Sequence, residues 1–263
     1  IEQQVDYCII EAGMGGRLDA TTALDYKACL ITNVGLDHTE YLGDTFEQIA
    51  YEKSGVFKPN VPALTTEDKP ECQKVMELVA DYMKTPLCFI DCQETDVLRW
   101  NGMTFHLNPP LYQAKNLSLA LETLNVLGIW LEENEIQQVI DHFQWAGRYM
   151  VLRKDPLVLL DGAHNVHGIT ALIQSLKDFT GKIYFSVLKE KDAPHMIELL
   201  QSISKDITLV EISSARLYPL EELGYPIITV DELISRLLDT KEDSLLCGSL
   251  YYVGEVLEKW GNV

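Results

Sequence analysis

Leu157-Val158-Leu159-Leu160-Asp161-Gly162-Ala163-His164-Asn165 is the stretch that decides the fold, because four apolar residues run directly into a polar turn. A short, continuously apolar run is typical of a strand buried on both faces, and a helical pattern follows at 169–179. The same alternation continues along the chain. Further strands are predicted at Ile183–Val187, Thr208–Ile212, Ile227–Val230 and Ser244–Cys247, and helices at Pro194–Ile203, Asp231–Leu238 and Leu250–Trp260.

This alternation predicts an α/β fold whose second half is a mostly parallel sheet covered by helices on both faces. In the first half, the apolar runs Val5–Ile10 and Lys27–Thr32 predict strands, and Val5–Ile10 is expected to be buried inside a parallel sheet. Helices are predicted at Thr45–Ser54, Glu71–Met83, Asn116–Leu127 and Glu133–Phe143. The segment Ala146-Gly147-Arg148 lies between the less regular first half and the regular strand–helix alternation of the second half, which predicts domains at 1–146 and 147–263.

Composition excludes several classes of function. Forty acidic and 21 basic residues give the 263-residue chain a net charge of −19, which disfavours nucleic-acid and membrane partners. The six cysteines contain no C-x-x-C pair and several lie in apolar runs, so reduced, buried thiols and a cytoplasmic protein are expected. The chain begins with Ile1 rather than Met, which suggests a piece of a longer protein.

Two polar clusters follow the strands predicted in the first half. Glu11–Thr21 contains glycines that permit close backbone approach and Arg17, which suits an anion; a plain tight turn with surface charges is the alternative. The pair Asp37-His38 supplies a metal ligand and a group to orient it, or else a histidine with an ordinary polar contact. At Glu52-Lys53, a solvated helix face is the simplest interpretation of the residues alone.

Two further turns follow strands of the second half. Asp161 and His164 are expected at the carboxyl edge of the sheet, where ligands bind in open α/β sheets, and the free amides of the next helix favour anions. The alternative is a helix capped by Asn165 beside a structural aspartate. Cys247–Tyr251 is a similar strand-to-helix turn that places Ser249 at the same edge.

Taken together, these clusters resemble the folylpolyglutamate synthases and bifunctional dihydrofolate synthases of the Mur ligase family. The resemblance covers essentially the whole chain, and the matching motifs are Glu11–Thr21, Gly35–Thr39, Glu52–Gly55, Asp161–Asn165 and Cys247–Tyr251. It implies the later part of a P-loop-type central ATPase domain, followed by a Rossmann-like glutamate-ligase domain. No Gly-Lys-Ser/Thr signature occurs, so the resemblance implies a chain that lacks the P-loop segment and is inactive alone.

The resemblance also implies ATP-dependent ligation of L-glutamate to the γ-carboxyl of a folate through an acyl phosphate. The implied Mg²⁺ ligands are Glu11, His38 and Lys53, the last as a carbamylated lysine. The implied ATP contacts are Asn116, Arg148 and Asp161, and the implied substrate contacts are Leu18 for folate and His164 and Ser249 for glutamate. Lys53 and His164 are the implied catalytic residues, and a monomer is expected.

Three positions depart from the family pattern. Thr22 stands where Asn is frequent, Ala146 where Pro is frequent before Gly-Arg, and Val166 where Pro is frequent after His-Asn. None of them removes a charged group, so loop shape is affected more than chemistry. Alternative functions remain open at this point: a bifunctional dihydrofolate synthase, a Mur-type cell-wall amino-acid ligase, and a fragment that binds glutamate or nucleotide without catalysis.

Overall fold

A computed structural model describes residues 5–92, 95–176 and 178–261 of the chain. The described chain separates into two compact units. Unit 1 comprises residues 1–106 and 113–137, and unit 2 comprises residues 107–112 and 138–263. The domain boundary expected at 146/147 remains a prediction, since compactness divides the chain slightly earlier, after Gln137.

Unit 1 contains a three-stranded parallel sheet in the order β1-β2-β3. Its helices α2 and α3 pack on one another and enclose an apolar core that includes Ile49, Phe57 and Met76. The elements of unit 1 are β1 Cys29–Ile31, α1 Thr39–Leu42, α2 Phe46–Ser54, β2 Ala63–Thr65, α3 Pro70–Met83, β3 Leu87–Phe89, the antiparallel pair β4 Val97–Trp100 and β5 Met103–His106, and α4 Gln113–Val126. Helix α5, Glu133–His142, spans the division between the units.

Unit 2 is built on a six-stranded sheet in the order β10-β9-β8-β11-β7-β6, parallel throughout except for the antiparallel edge pair β6–β7. Successive side chains of a strand point to opposite faces. Leu159 and Phe185 therefore join one buried cluster, while Leu160 and Tyr184 join the other. The elements are β6 Met150–Lys154, β7 Leu157–Leu160, α6 Val166–Ser175, β8 Lys182–Phe185, α7 Ala193–Leu200, β9 Ile207–Glu211, β10 Ile227–Thr229, α8 Val230–Asp239, β11 Ser244–Cys247 and α9 Leu250–Trp260.

The predicted α/β fold class is confirmed, and every strand and helix predicted in the second half is present within a few residues. The helix expected to reach Phe179 ends at Ser175, and residue 177 lies outside the described residues. Sequence analysis missed the short strands β2 and β3, the β4–β5 pair and the edge strand β6.

The prediction of a buried strand at Val5–Ile10 is wrong for the described structure. The segment adopts no strand conformation, and Tyr7 and Ile9 are 69% and 96% exposed. An apolar run becomes a buried strand only when neighbouring strands pair with it, and none of the described strands does so. Cys8 is accordingly exposed.

The cysteine prediction holds in part. The six cysteines, all within the described residues, form no disulfide; Cys29, Cys72 and Cys247 are buried, whereas Cys8 and Cys88 are exposed. Burial raises the pKa of the Cys72 thiol to about 12, so this thiol stays protonated at neutral pH. Among the described residues, no helix is long and apolar enough to cross a bilayer.

Candidate functional site

In unit 1, the carboxylate of Asp19 organises the loop that carries Glu11 and Leu18. It accepts hydrogen bonds from the amides of Gly13 and Thr21, both at 2.8 Å, and from the Thr21 hydroxyl at 2.6 Å. The Thr21 hydroxyl is the largest cause that lowers the pKa of Asp19 to about 2, and the backbone amides add to it. Asp19 therefore stays ionised and caps the short 3₁₀ helix Ala20–Ala23.

The same loop packs against the end of helix α2, which joins the first and third sequence motifs. The backbone amide of Arg17 donates to the carbonyl of Glu52 at 2.8 Å, and the Arg17 guanidinium forms a salt bridge with the Glu52 carboxylate at 2.8 Å. A Cβ on Gly55 would lie 2.2 Å from the Arg17 Cα, and one on Gly16 would lie 2.8 Å from the Lys53 carbonyl oxygen. Both glycines are required by this close approach, so the solvated Glu-Lys face suggested by residue types alone is wrong for Glu52.

Lys53 lies beside two carboxylates in unit 1. Burial lowers the pKa of its ammonium, and the charges of Asp37 and Glu67 partly oppose that effect. Glu67 is 2% exposed and lies two residues after the end of strand β2. The second and third motifs are therefore neighbours, with Glu67 as an additional member that sequence analysis missed.

The predicted metal ligands Glu11 and His38 are both exposed, and His38 takes a left-handed backbone conformation at the start of α1. Within the described ranges, no three His, Cys, Asp or Glu side chains come together as a closed metal site. Mg²⁺ keeps several waters and is often held by one or two carboxylates plus substrate phosphates. The assignment of Glu11, His38 and Lys53 as Mg²⁺ ligands remains a prediction, in which Lys53 takes part only after carbamylation.

In unit 2, Asp161 organises the turn that ends strand β7. Its two carboxylate oxygens accept the amides of Tyr149 and Ala163, each at 2.7 Å, and the residue is 3% exposed. Burial is the largest influence on the pKa of Asp161 and raises it, although both amides and the charge of Arg148 act in the opposite direction. Asp161, Arg148 and His164 thus form one polar group at the end of β7, where the sequence predicted Asp161 and His164.

The neighbouring side chains of this turn are closely packed. A Cβ on Gly162 would lie 2.7 Å from a guanidinium nitrogen of Arg148, so only glycine leaves the guanidinium its present position. The imidazole Nδ1 of His164 lies 2.9 Å from the Gly162 carbonyl oxygen, and Asn165 caps helix α6 through the amide of Gly168. The capping interpretation of Asn165 therefore holds alongside the polar group.

The turn after strand β11 places Ser249 at the start of α9. Its hydroxyl accepts the amide of Tyr251 at 3.1 Å, and Ser249 is 1% exposed. Gly248 has a φ of +118°, and a Cβ there would lie 2.3 Å from the Ser186 carbonyl oxygen. Ser249 is therefore a helix cap in this structure, and its contact with glutamate remains a prediction.

The two remaining predicted site residues lie in unit 1. Leu18 is 80% exposed on the loop organised by Asp19. Asn116 is exposed on helix α4, where its amide donates to the Gln113 side chain at 3.0 Å. Their contacts with folate and ATP remain predictions.

Glu67 and Tyr112 are the polar residues that sequence analysis missed. Strand β2 has only three residues, which is too short for a periodic signal, so Glu67 could not be assigned to a strand end. Tyr112 belongs to the short segment 107–112 of unit 2, where burial and then the charge of Asp161 raise the pKa of its phenol. Only the folded chain places this tyrosine near Asp161.

Residues 1–107 match the family model described as the Mur ligase middle domain. The dihydrofolate synthase/folylpolyglutamate synthase of Bacillus subtilis is 28% identical over 97% of this chain and 68% of its own length. The chain is a homologue of the folylpolyglutamate and dihydrofolate synthases. Its similarity to them extends through both units, beyond the residues that the family model covers.

Solved structures of these synthases share the fold. The bifunctional enzyme from Yersinia pestis, complexed with AMPPNP and Mn ion, matches with a TM-score of 0.82 and 25% identity over 95% of this chain and 65% of its own. A bifunctional enzyme with Mn, AMPPNP and L-glutamate bound matches with a TM-score of 0.81 and 26% identity, over 95% of this chain and 66% of its own. The homologous chain spans about two thirds of the length of these proteins.

Proposed function

We propose that this chain forms part of an ATP-dependent ligase that adds L-glutamate to the γ-carboxyl of a (tetrahydro)folate. The observation that carries the proposal is the similarity to folylpolyglutamate synthases over 97% of the chain. In this reaction the folate carboxylate takes the γ-phosphoryl group and ADP leaves. The glutamate amine then attacks the acyl phosphate, an amide forms, and inorganic phosphate leaves.

In unit 1, Glu11, His38 and Lys53 are the proposed Mg²⁺ ligands. The metal ion would neutralise phosphate charge during phosphoryl transfer. Carbamylation requires a neutral amine to react with CO₂, and the partly buried Lys53, whose pKa is lowered, supports that assignment. Leu18 and Asn116 are the proposed folate and ATP contacts of this unit.

In unit 2, Arg148 and Asp161 are the proposed ATP contacts, and His164 and Ser249 the proposed glutamate contacts. The group formed by Asp161, Arg148 and His164 at the end of β7 supports this, because ligands of open α/β sheets bind at the carboxyl ends of strands. A guanidinium suits phosphate and carboxylate groups equally. The six cysteines, none of which forms a disulfide, support a cytoplasmic protein, and we propose that it is a monomer.

The decisive experiment measures ADP release that depends on L-glutamate, with Mg²⁺, ATP and tetrahydrofolate, on this chain and on the complete reading frame that encodes it. Activity in the complete protein, abolished by Lys53→Arg, is the expected result, because a guanidinium keeps the positive charge but forms no carbamate. Dihydropteroate replaces tetrahydrofolate in a parallel assay, since several relatives are named for both the dihydrofolate synthase and the folylpolyglutamate synthase activity.

ADP release from neither protein would contradict the ligase proposal. Calorimetric binding of L-glutamate or ATP without turnover would then favour a binding function. Turnover with a nucleotide-linked muramyl substrate instead of a folate would assign the chain to the cell-wall ligases.

A further inference from the structure

Glu67 is a buried carboxylate whose oxygens are bound from two directions. One oxygen accepts the backbone amide of Val34, and the other accepts the Lys69 amide at 2.9 Å and the Lys69 ammonium at 3.1 Å. Its side chain is fully buried. A buried charge is costly unless it is paired and hydrogen-bonded, so these contacts explain how Glu67 is retained in the interior.

These contacts connect separate segments at one edge of the unit 1 sheet. Val34, which is fully buried, follows strand β1 and leads into Asp37 and His38. The Lys69 ammonium also lies 5.4 Å from the ring centre of Phe46, the first residue of helix α2. Because α2 carries Lys53, one carboxylate links the turn after β1, the turn after β2 and the helix of Lys53.

Glu67 itself does not hold the metal ion in the proposed function. Its two oxygens are already occupied by Val34 and Lys69. Further along the same turn, the Asp37 carboxylate accepts a hydrogen bond from the backbone amide of His38 at 2.9 Å. The backbone of the turn 34–38 is therefore fixed at its beginning, where the Val34 amide donates to the Glu67 carboxylate.

We propose that Glu67 is a positioning residue, which holds the segment 34–38 through the Val34 amide and so positions Asp37 and His38 in the turn after β1. The significance of that placement rests on the proposed function, in which His38 and Lys53 bind Mg²⁺. The positioning itself rests on the hydrogen bonds of Glu67 alone, and the two are tested separately.

The first test is hydrogen–deuterium exchange of the chain, read by mass spectrometry for peptides within 33–42. In Glu67→Gln the Val34 N–H faces either an amide nitrogen or a neutral oxygen, which is a weaker acceptor than the carboxylate, so we expect exchange of these peptides to accelerate at least about tenfold. Lys69→Met is the matched control, because it removes the ammonium but keeps the Glu67–Val34 bond. Exchange in this control is expected to stay within about twofold of the wild type.

Unchanged exchange at 33–42 in Glu67→Gln overturns the proposal, and so does equal acceleration in Lys69→Met. Peptides from strands β7 and β11 in unit 2 provide the folding reference. If Glu67→Gln does not fold, Glu67→Asp decides. Its shorter carboxylate cannot reach both partners, so unchanged exchange at 33–42 in that variant overturns the proposal too.

The second test uses Mn²⁺ alone, titrated into the same proteins and followed by electron paramagnetic resonance. Partners that orient metal ligands typically change metal affinity about 10- to 100-fold when they are removed, and we expect weakening of that order in Glu67→Gln but not in Lys69→Met. Equal Mn²⁺ affinity in Glu67→Gln and wild type contradicts the positioning of the metal ligands. A wild-type chain that binds no Mn²⁺ contradicts the metal assignment of the proposed function. In that case the hydrogen–deuterium exchange result alone tests whether Glu67 positions the segment 34–38.

Discussion

Asp19 in unit 1 and Asp161 in unit 2 organise their turns in the same way, yet the pKa of Asp19 is lowered from its ordinary value and that of Asp161 is raised. Each carboxylate accepts two backbone amides within 2.8 Å. The pKa of Asp19 is lowered to about 2 by its hydrogen bonds, whereas burial raises the pKa of Asp161. The hydrogen bonds stabilise both anions, so the difference comes from the loss of water around Asp161.

The comparison shows that two turns with similar hydrogen bonds lie in different environments. The turn of Asp19 is a stable, exposed loop whose order depends on an ionised carboxylate. The turn of Asp161 is a desolvated site that holds a carboxylate, a guanidinium and an imidazole close together. Perturbed acidity of a buried group is typical of functional sites, which supports the ligand contacts proposed for unit 2.

The largest expected effect tests how rigidly each turn is packed. In Gly55→Ala the new Cβ meets the backbone of Arg17 at 2.2 Å, so we expect a loss of about 3 kcal/mol in the free energy of unfolding. In Gly162→Ala the nearest atoms are the ends of the Leu250 and Arg148 side chains, which can move, so the expected loss is about 1 kcal/mol. Urea unfolding measures both, and equal losses would show that the two turns do not differ in rigidity.

The next effect concerns the buried carboxylate itself. Asp161→Ala leaves the Tyr149 and Ala163 amides without their acceptor, and we expect a loss of about 2 kcal/mol in the free energy of unfolding. Asp19→Ala is the matched variant, and it should lose less because water can replace the carboxylate at a partly exposed loop. The reverse order in urea unfolding would contradict the contrast in burial.

Helix caps are expected to contribute equally in the two units. Thr45 is the N-cap of α2 and Thr229 is the N-cap of α8, each within a capping box completed by the side chain three residues on. Replacing either threonine by Ala should cost about 1 kcal/mol, measured by urea unfolding. Thr240→Ala, which follows α8 and does not cap a helix start, is the control and should change stability by less. A large effect at only one cap would show that α2 and α8 depend differently on local structure.

The smallest expected effects are two opposite dependences on pH. Asp19 adds stability above its ordinary pKa of 3.8, and that contribution is lost as pH falls towards about 2; Asp19→Asn removes this dependence. Asp161 contributes most below pH 3.8, and that contribution is lost as pH rises through its raised native pKa; Asp161→Asn removes this opposite dependence. Calorimetric unfolding from pH 2 to 6 compares each variant with the wild type, and slopes of equal sign would contradict the assignments.

The sequence predicted unit 2 better than unit 1 for physical reasons. Leu157–Leu160 and Ser244–Cys247 are central strands whose apolar runs match their burial on both faces, so their bounds are predicted to the residue. Ala63–Thr65 is too short to show a period, and Val5–Ile10 is apolar without any described strand to pair with it. A local pattern indicates a strand but does not supply its neighbours.

The candidate site follows the same rule. Asp161 and His164 lie within one turn, so the sequence alone places them together. The contact of Arg17 with Glu52 and the burial of Glu67 depend on segments that are far apart in the chain. No spacing in the sequence encodes them, because they arise only when the loop, the helix and the strand ends pack.

The strand order of unit 2 has a consequence for synthesis of the protein. Strand β11 lies between β7 and β8 and pairs with both, although it is translated after every other strand of the sheet. Until Ser244–Cys247 leaves the ribosome, β7 and β8 each present an unpaired apolar edge, and such edges invite pairing with other chains. Nascent unit 2 should therefore need chaperone protection late in translation, and a ribosome stalled before residue 244 should hold a sheet that remains open at its centre.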